Sequence, residues 1–187
     1  MRGHSGGGLG VSTEQQALTD AVRAFAEQAR ARSEARALAE AADDRLPPSW
    51  PALAAQELLA LPFDGSVLDV CVAVEAFGYA LAPGPVLPTM LAALLVRRHG
   101  SEALRTRTDA GLRDGGFSAA VLVEDALIGG AAVSAVLLPH DGRWAVVDAT
   151  TLPLTSHVGI DPTRRVATAA APTVAPDADD VLRSLTA

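Results

Sequence analysis

Between Ser66 and Thr89 the chain reads SVLDVCVAVEAFGYALAPGPVLPT, and this stretch constrains the rest more than any other. Val67, Val70, Cys71, Val74, Phe77 and Leu81 recur at helical spacing and predict one continuous apolar stripe. Leu68, Val72 and Tyr79 set a second strip beside it, so the predicted helix has little surface to give to water. Ala82-Pro83-Gly84-Pro85 stops it, because proline cannot continue the hydrogen-bond ladder. A second apolar helix begins at once near Pro88. A helix this apolar needs neighbours on most sides, and amphipathic segments before and after can supply them. It is predicted to be the hub of the fold.

Upstream, residues 1–11 carry five glycines and are expected to form a flexible tail. Ser12 or Thr13 can cap the first helix, and Thr13 with Gln16 matches a capping box. Leu18, Val22, Phe25 and Ala29 mark its buried stripe, and the helical pattern runs on to about Asp43. Leu46-Pro47-Pro48 breaks it, and Ser49 is expected to cap a short helix with Pro51 at an early position. Downstream of the hub, a helix from Leu87 to His99 should close on Gly100, with Arg97, Arg98 and His99 favouring its dipole. Ser101 caps a last helix to about Arg113.

At Phe117 the apolar period changes from 3.6 to 2. Ser118 to Val123, Ala132 to Leu138 and Arg143 to Val147 are β-branched runs between turn residues, and Asp141-Gly142 is a hairpin signal. Thr151 to Val158 and Arg165 to Ala171 add two weaker strands. Asp177 to Leu185 reads as the first turns of another helix. The predicted class is α+β: a flexible tail (1–11), a helical bundle (12–113), a small antiparallel β domain (117–175) and the start of a truncated helix (176–187).

Composition narrows the function. The net charge of −7 without a basic block argues against nucleic acid as partner. No run reaches ~18 apolar residues and the N-terminus lacks an apolar signal core, so a soluble cytoplasmic protein is expected, with no membrane partner. Cys71 is the one cysteine, on the apolar stripe, and is expected to be a small buried hydrophobe. His4, His99, His140 and His157 are scattered, so no metal site is expected. Aromatics make up only 4% of the chain, and a core of such small side chains favours burial against partner chains.

Glu75-Ala-Phe-Gly-Tyr-Ala-Leu-Ala-Pro-Gly-Pro-Val-Leu-Pro-Thr89 resembles the E-x-x-G-x-A-L-A-P-G-P-x-x-P-T run of actinobacterial-type acyl-CoA dehydrogenases. Ile160-Asp-Pro-Thr-Arg-Arg-Val166 is similar to a turn late in that family's middle domain, and Gly129 to Leu138 resembles one of its strands. The order of a helical domain followed by a β domain agrees. The resemblance implies FAD-dependent α,β-desaturation of acyl-CoA thioesters by a homo- or hetero-oligomer. It places the flavin contacts at Leu122, Val123, Ile128 and Gly129.

The same resemblance marks two departures. Val121-Leu-Val-Glu-Asp125 stands where the family has a flavin-contacting L-T-E-P-x-x-G-S-D segment, so Val123 replaces a hydroxyl residue and a deletion follows. The family's C-terminal helical domain, with its catalytic glutamate, would begin near Val181, and no catalytic residue is assigned within this sequence. Glu75 on the hub is read as a peripheral glutamate paired with an arginine rather than a buried base. Arg164-Arg165 fits either a phosphate contact or a turn anchored by Asp161. Three readings therefore stand: a dehydrogenase completed by further chain or a partner, a non-catalytic partner subunit, or a truncated remnant.

Overall fold

The computed structural model describes residues 12–161, 163–169 and 176–183. Seven helices come first: α1 (Thr13–Gln28), α2 (Ala31–Glu40), α3 (Trp50–Ala55), α4 (Leu61–Asp64), α5 (Val67–Tyr79), α6 (Val86–His99) and α7 (Glu102–Asp114). Six strands follow: β1 (Ala119–Val123), β2 (Ala126–Ile128), β3 (Ala135–His140), β4 (Arg143–Asp148), β5 (Leu154–Val158) and β6 (Arg165–Ala169). The class is α+β.

The hub helix α5 is central, but its buried face differs from the predicted one. Val70, Val72, Ala73, Ala76 and Phe77 are buried, packed against α1 and α6, while Val74 is half-buried. Val67, Leu68, Cys71, Tyr79 and Leu81 are exposed, so Cys71 is not the buried hydrophobe expected. The reason is steric. Ala73 and Ala76 let neighbouring helices approach α5 closely, and an almost uniformly apolar helix does not announce which side will be chosen. Ser66 caps it with a box completed by Asp69.

The long first helix breaks in two. Arg30 adopts φ 51, and the turn returns Ala31 to the cluster that holds Val22 and Phe25. The capping box at α1 is formed by Ser12 and Gln15, one residue earlier than the predicted pair. Ser49 makes no cap on α3; its hydroxyl donates to Glu34 Oε2 at 2.6 Å. Gly100 has φ −72 rather than a left-handed cap, and it is glycine because a Cβ there would lie 2.6 Å from the Val96 carbonyl.

The sheet order is β4-β3-β1-β2-β6-β5. Four of its pairings are antiparallel, but β1 and β3 run parallel, so the sheet is mixed rather than antiparallel throughout. The unpredicted strand β2 is the cause. Glu124 (φ 54) and Asp125 return the chain at once, and the segment after Gly129 then crosses to the other side of β1. The Asp141-Gly142 hairpin forms as expected, both residues at positive φ. Alternate strand residues face two clusters: Ala119, Val121 and Leu137 meet Ala92 and Val96 of α6, while Ala120, Leu127 and Val136 lie on the far side.

Asp177 to Leu185 does not begin a helix within the described residues. Ala178–Asp180 is one 3-10 turn, Val181 bridges Ala145, and Leu182 is fully buried in the helix-side cluster. Among the described residues no helix is long and apolar enough to cross a membrane.

Candidate functional site

Where the first turn of α6 meets the end of β2, the two layers touch. The buried Thr89 hydroxyl accepts the Ala119 N–H at 2.9 Å and fixes α6 over β1. Gly129 follows at φ 121, where a Cβ would lie 3.1 Å from Pro88 Cγ and from Ala120 Cα. Only glycine admits that approach. Next to it, Gly130 (φ 81) faces the loop after α2, and a Cβ there would sit 2.6 Å from Asp44 Oδ2.

Asp44 fastens that loop to the sheet. Its Oδ2 accepts the Ala131 N–H at 2.7 Å and the Ser156 hydroxyl at 3.0 Å. The Arg165 guanidinium, from β6, donates to the Ala41 carbonyl of the same loop. These contacts enclose a cleft of about 110 Å³ lined by Leu46, Leu87, Pro88, Ile128, Gly129 and Arg164, among others.

The four residues assigned by resemblance separate. Ile128, 48% exposed, and Gly129 line the cleft. Val123 stands at the tip of β1 opposite Ala126, 47% exposed. Leu122 lies opposite Leu127 and packs into the far-side cluster, on the other face of the sheet. Glu75 is exposed on α5 outside the cleft, and among the described residues it has no ion pair. Arg164 lies 3.8 Å from Asp161. The Thr163 hydroxyl, donating to Asp161 at 2.6 Å, holds that carboxyl below the usual range, with the Thr163 N–H and Arg164 adding to the effect. The arginine pair is therefore a turn anchor plus a strut to Ala41.

Asp44 and Thr89 are two residues of this junction that sequence reasoning misses. Thr89 closes the Glu75–Thr89 run, which was its one signal; Asp44 had none, because its partners come from far along the chain. Among the described residues no three His, Cys, Asp or Glu side chains are grouped to hold a metal ion.

The groups lining this cleft among the described residues do not fit a flavin. Val123 presents methyls and no hydroxyl at the β1 tip, and the turn after it has only two residues, Glu124 and Asp125. Asp44 and Arg165 are committed to the loop–sheet junction. The cleft, about 110 Å³, is well below the ~300–1,000 Å³ of ligand pockets.

A helical bundle whose α6 lies on a mixed β sheet, with a cleft at their junction, defines a class of two-layer α+β chains. Residues 12–116 match the acyl-CoA dehydrogenase N-terminal domain, and the chain belongs to the acyl-CoA dehydrogenase family. It is similar to acyl-CoA dehydrogenase FadE34 of Mycobacterium tuberculosis, 33% identical over 165 residues, 74% of this chain and 23% of that protein. The chain thus spans about a quarter of the curated relative it matches. In fold it resembles a chain of the ChsE4-ChsE5 complex from Mycobacterium tuberculosis, with TM-score 0.73, 17% identity and coverage of 94% of this chain and 58% of that one. The FAD complex of PigA gives TM-score 0.61 at 16% identity, over 95% and 60% of the two chains.

Proposed function

We propose that this chain serves acyl-CoA dehydrogenation as a non-flavin-binding part of a heteromeric enzyme, with acyl-CoA thioesters as the substrate class. The observation that carries the reading is the β1–β2 hairpin. Val123 stands at its tip, and after only two turn residues the chain has already turned back at Ala126. In this reading Val123, Ile128 and Gly129 form an apolar wall toward the assembled partner, and Leu122 supports it from the far face. Exposed apolar side chains beside the cleft, Leu87 on α6 and Ile128 on β2, suit burial against another chain. Family membership supports the substrate class, and the two-component complex among the fold relatives supports the heteromer. FAD would then be held by the partner, and a cytoplasmic location goes with this chemistry.

The test is to purify the chain alone and record its visible absorbance after incubation with FAD and gel filtration. The expected outcome is a colourless protein whose melting temperature FAD leaves unchanged. Flavin that co-migrates with the chain overturns the reading.

A further inference from the structure

The two edges of the sheet are treated differently. The β4 edge is partly covered by the chain itself: Val181 bridges Ala145, and the Leu182 N–H donates to the Trp144 carbonyl at 2.8 Å. The β5 edge is bare among the described residues. On its inner side β5 pairs with β6 in unbroken register from Leu154↔Ala169 to Val158↔Arg165, with no bulge. Thr155, Ser156, His157 and Val158 are all exposed. None of the five β5 residues is proline, lysine, aspartate or glutamate, the residues by which natural edge strands are guarded.

We propose that β5 pairs antiparallel with β5 of a second copy of this chain, about a two-fold axis at Ser156, joining two sheets edge to edge. The strand's own sequence selects that occupant. Leu154-Thr-Ser-His-Val158 is self-complementary about its centre. Leu154 falls opposite Val158 of the second copy, Thr155 opposite its His157, and Ser156 opposite its Ser156. Apolar groups meet apolar groups, hydrogen-bonding groups meet each other, and no like charges face across the join. A one-residue slip would set Leu154 against His157 and leave only Thr155 against Ser156 as a matched pair, so the register centred on Ser156 is favoured. Ile160, fully exposed just beyond Val158, extends the apolar contact at both ends.

Five paired residues bury less than the ~1,200 Å² of a standard interface, so the dimer is weak and concentration-dependent. The pairing is independent of the flavin reading above.

The experiment is sedimentation of the full chain under reducing conditions, which exclude a disulfide through the exposed Cys71. The expected result is a monomer–dimer equilibrium with Kd between ~1 μM and ~1 mM. Thr155→Lys with His157→Lys sets lysine against lysine at two pairs and should raise Kd at least tenfold. Thr155→Glu with His157→Lys sets glutamate against lysine and should restore the dimer. Hydrogen exchange of the unaltered chain is the second readout, with protection of the β5 amides rising with concentration. A chain still monomeric at ~1 mM, a dimer indifferent to the lysine pair, no rescue by the glutamate–lysine pair between folded variants, or concentration-independent β5 exchange each overturns the pairing.

Discussion

The Asp44 carboxylate accepts the Ala131 N–H at 2.7 Å, joining residues 87 apart in sequence and tying the loop after α2 to the crossover that leads into β3. The same oxygen holds Ser156 of β5. One side chain therefore ties the loop after α2, the crossover and the β5 end of the sheet together at the border of the cleft.

Asp44→Ala should accordingly destabilise the chain by about 2–3 kcal/mol, because it strands the half-buried Ala131 N–H and removes a charge-assisted bond. Asp44→Asn keeps an acceptor in place and should cost less than half as much. Urea titration of the two variants checks the order. Equal losses would mean that a neutral acceptor cannot stand in for the carboxylate, and negligible losses in both would mean that Asp44 is not the fastening.

Gly130→Ala attacks the same junction from the sheet. The new Cβ would sit 2.6 Å from Asp44 Oδ2 on a backbone at φ 81. Left-handed strain of about 1–3 kcal/mol adds to the loss of the Asp44 contacts. Combined with Asp44→Ala the losses should be sub-additive, since the obstructed carboxylate is already gone. Additive losses would show that Gly130 is needed for its conformation alone.

How much of this was legible depended on range. Asp141-Gly142 was readable because a two-residue hairpin needs positive φ at both positions, a demand written locally. The change of period at Phe117 was readable for the same reason, falling between the end of α7 at Asp114 and the start of β1 at Ala119. The buried face of α5 was not, because Val67 and Leu68 are as apolar as Val70 and Val72; the neighbours decide, and they are distant in sequence. Three-residue β2 was too short to show a period, and missing it hid the parallel pairing of β1 with β3. Of the candidate site, Ile128 and Gly129 were within reach through the resemblance. The Asp44–Ala131 bond was not, since nothing near Asp44 marks it.

The face of α5 can be tested by a contrast. Phe77→Ala empties a buried aromatic site and should cost about 3–5 kcal/mol. Leu68→Ala, on the exposed side, should change stability by less than about 0.5 kcal/mol. Thermal melts of both suffice, and similar losses would return the buried stripe to the side that carries Leu68.

Acid should loosen the turns in a defined window. Asp148 is held below the usual carboxylate range by the Thr150 hydroxyl and then the Thr150 N–H, and Asp69 by the Ser66 N–H and hydroxyl. A carboxyl whose folded pKa is depressed adds stability that is present above its unfolded pKa, about 3.9, and lost as pH falls through the folded value. The melting temperature should thus fall below about pH 4, and Asp148→Asn should flatten that fall while lowering the plateau above it. An unchanged acid slope in the variant would remove Asp148 from the account.

The chain alone should not desaturate acyl-CoA thioesters. That reaction needs a carboxylate beside the thioester to take the α-proton and groups that polarise its carbonyl. Glu75 is exposed on α5 outside the cleft, and the Asp44 carboxylate is engaged with Ala131 and Ser156. Asp43 borders the cleft, but a space of about 110 Å³ gives a thioester no room to lie beside it. The Val123 tip supplies no hydroxyl toward a cofactor. With FAD, a panel of acyl-CoA thioesters and an artificial electron acceptor, the purified chain is expected to give the rate of the protein-free mixture. Asp43→Asn is the control for any activity that does emerge: turnover abolished by that substitution would identify Asp43 as a base and overturn the non-catalytic reading.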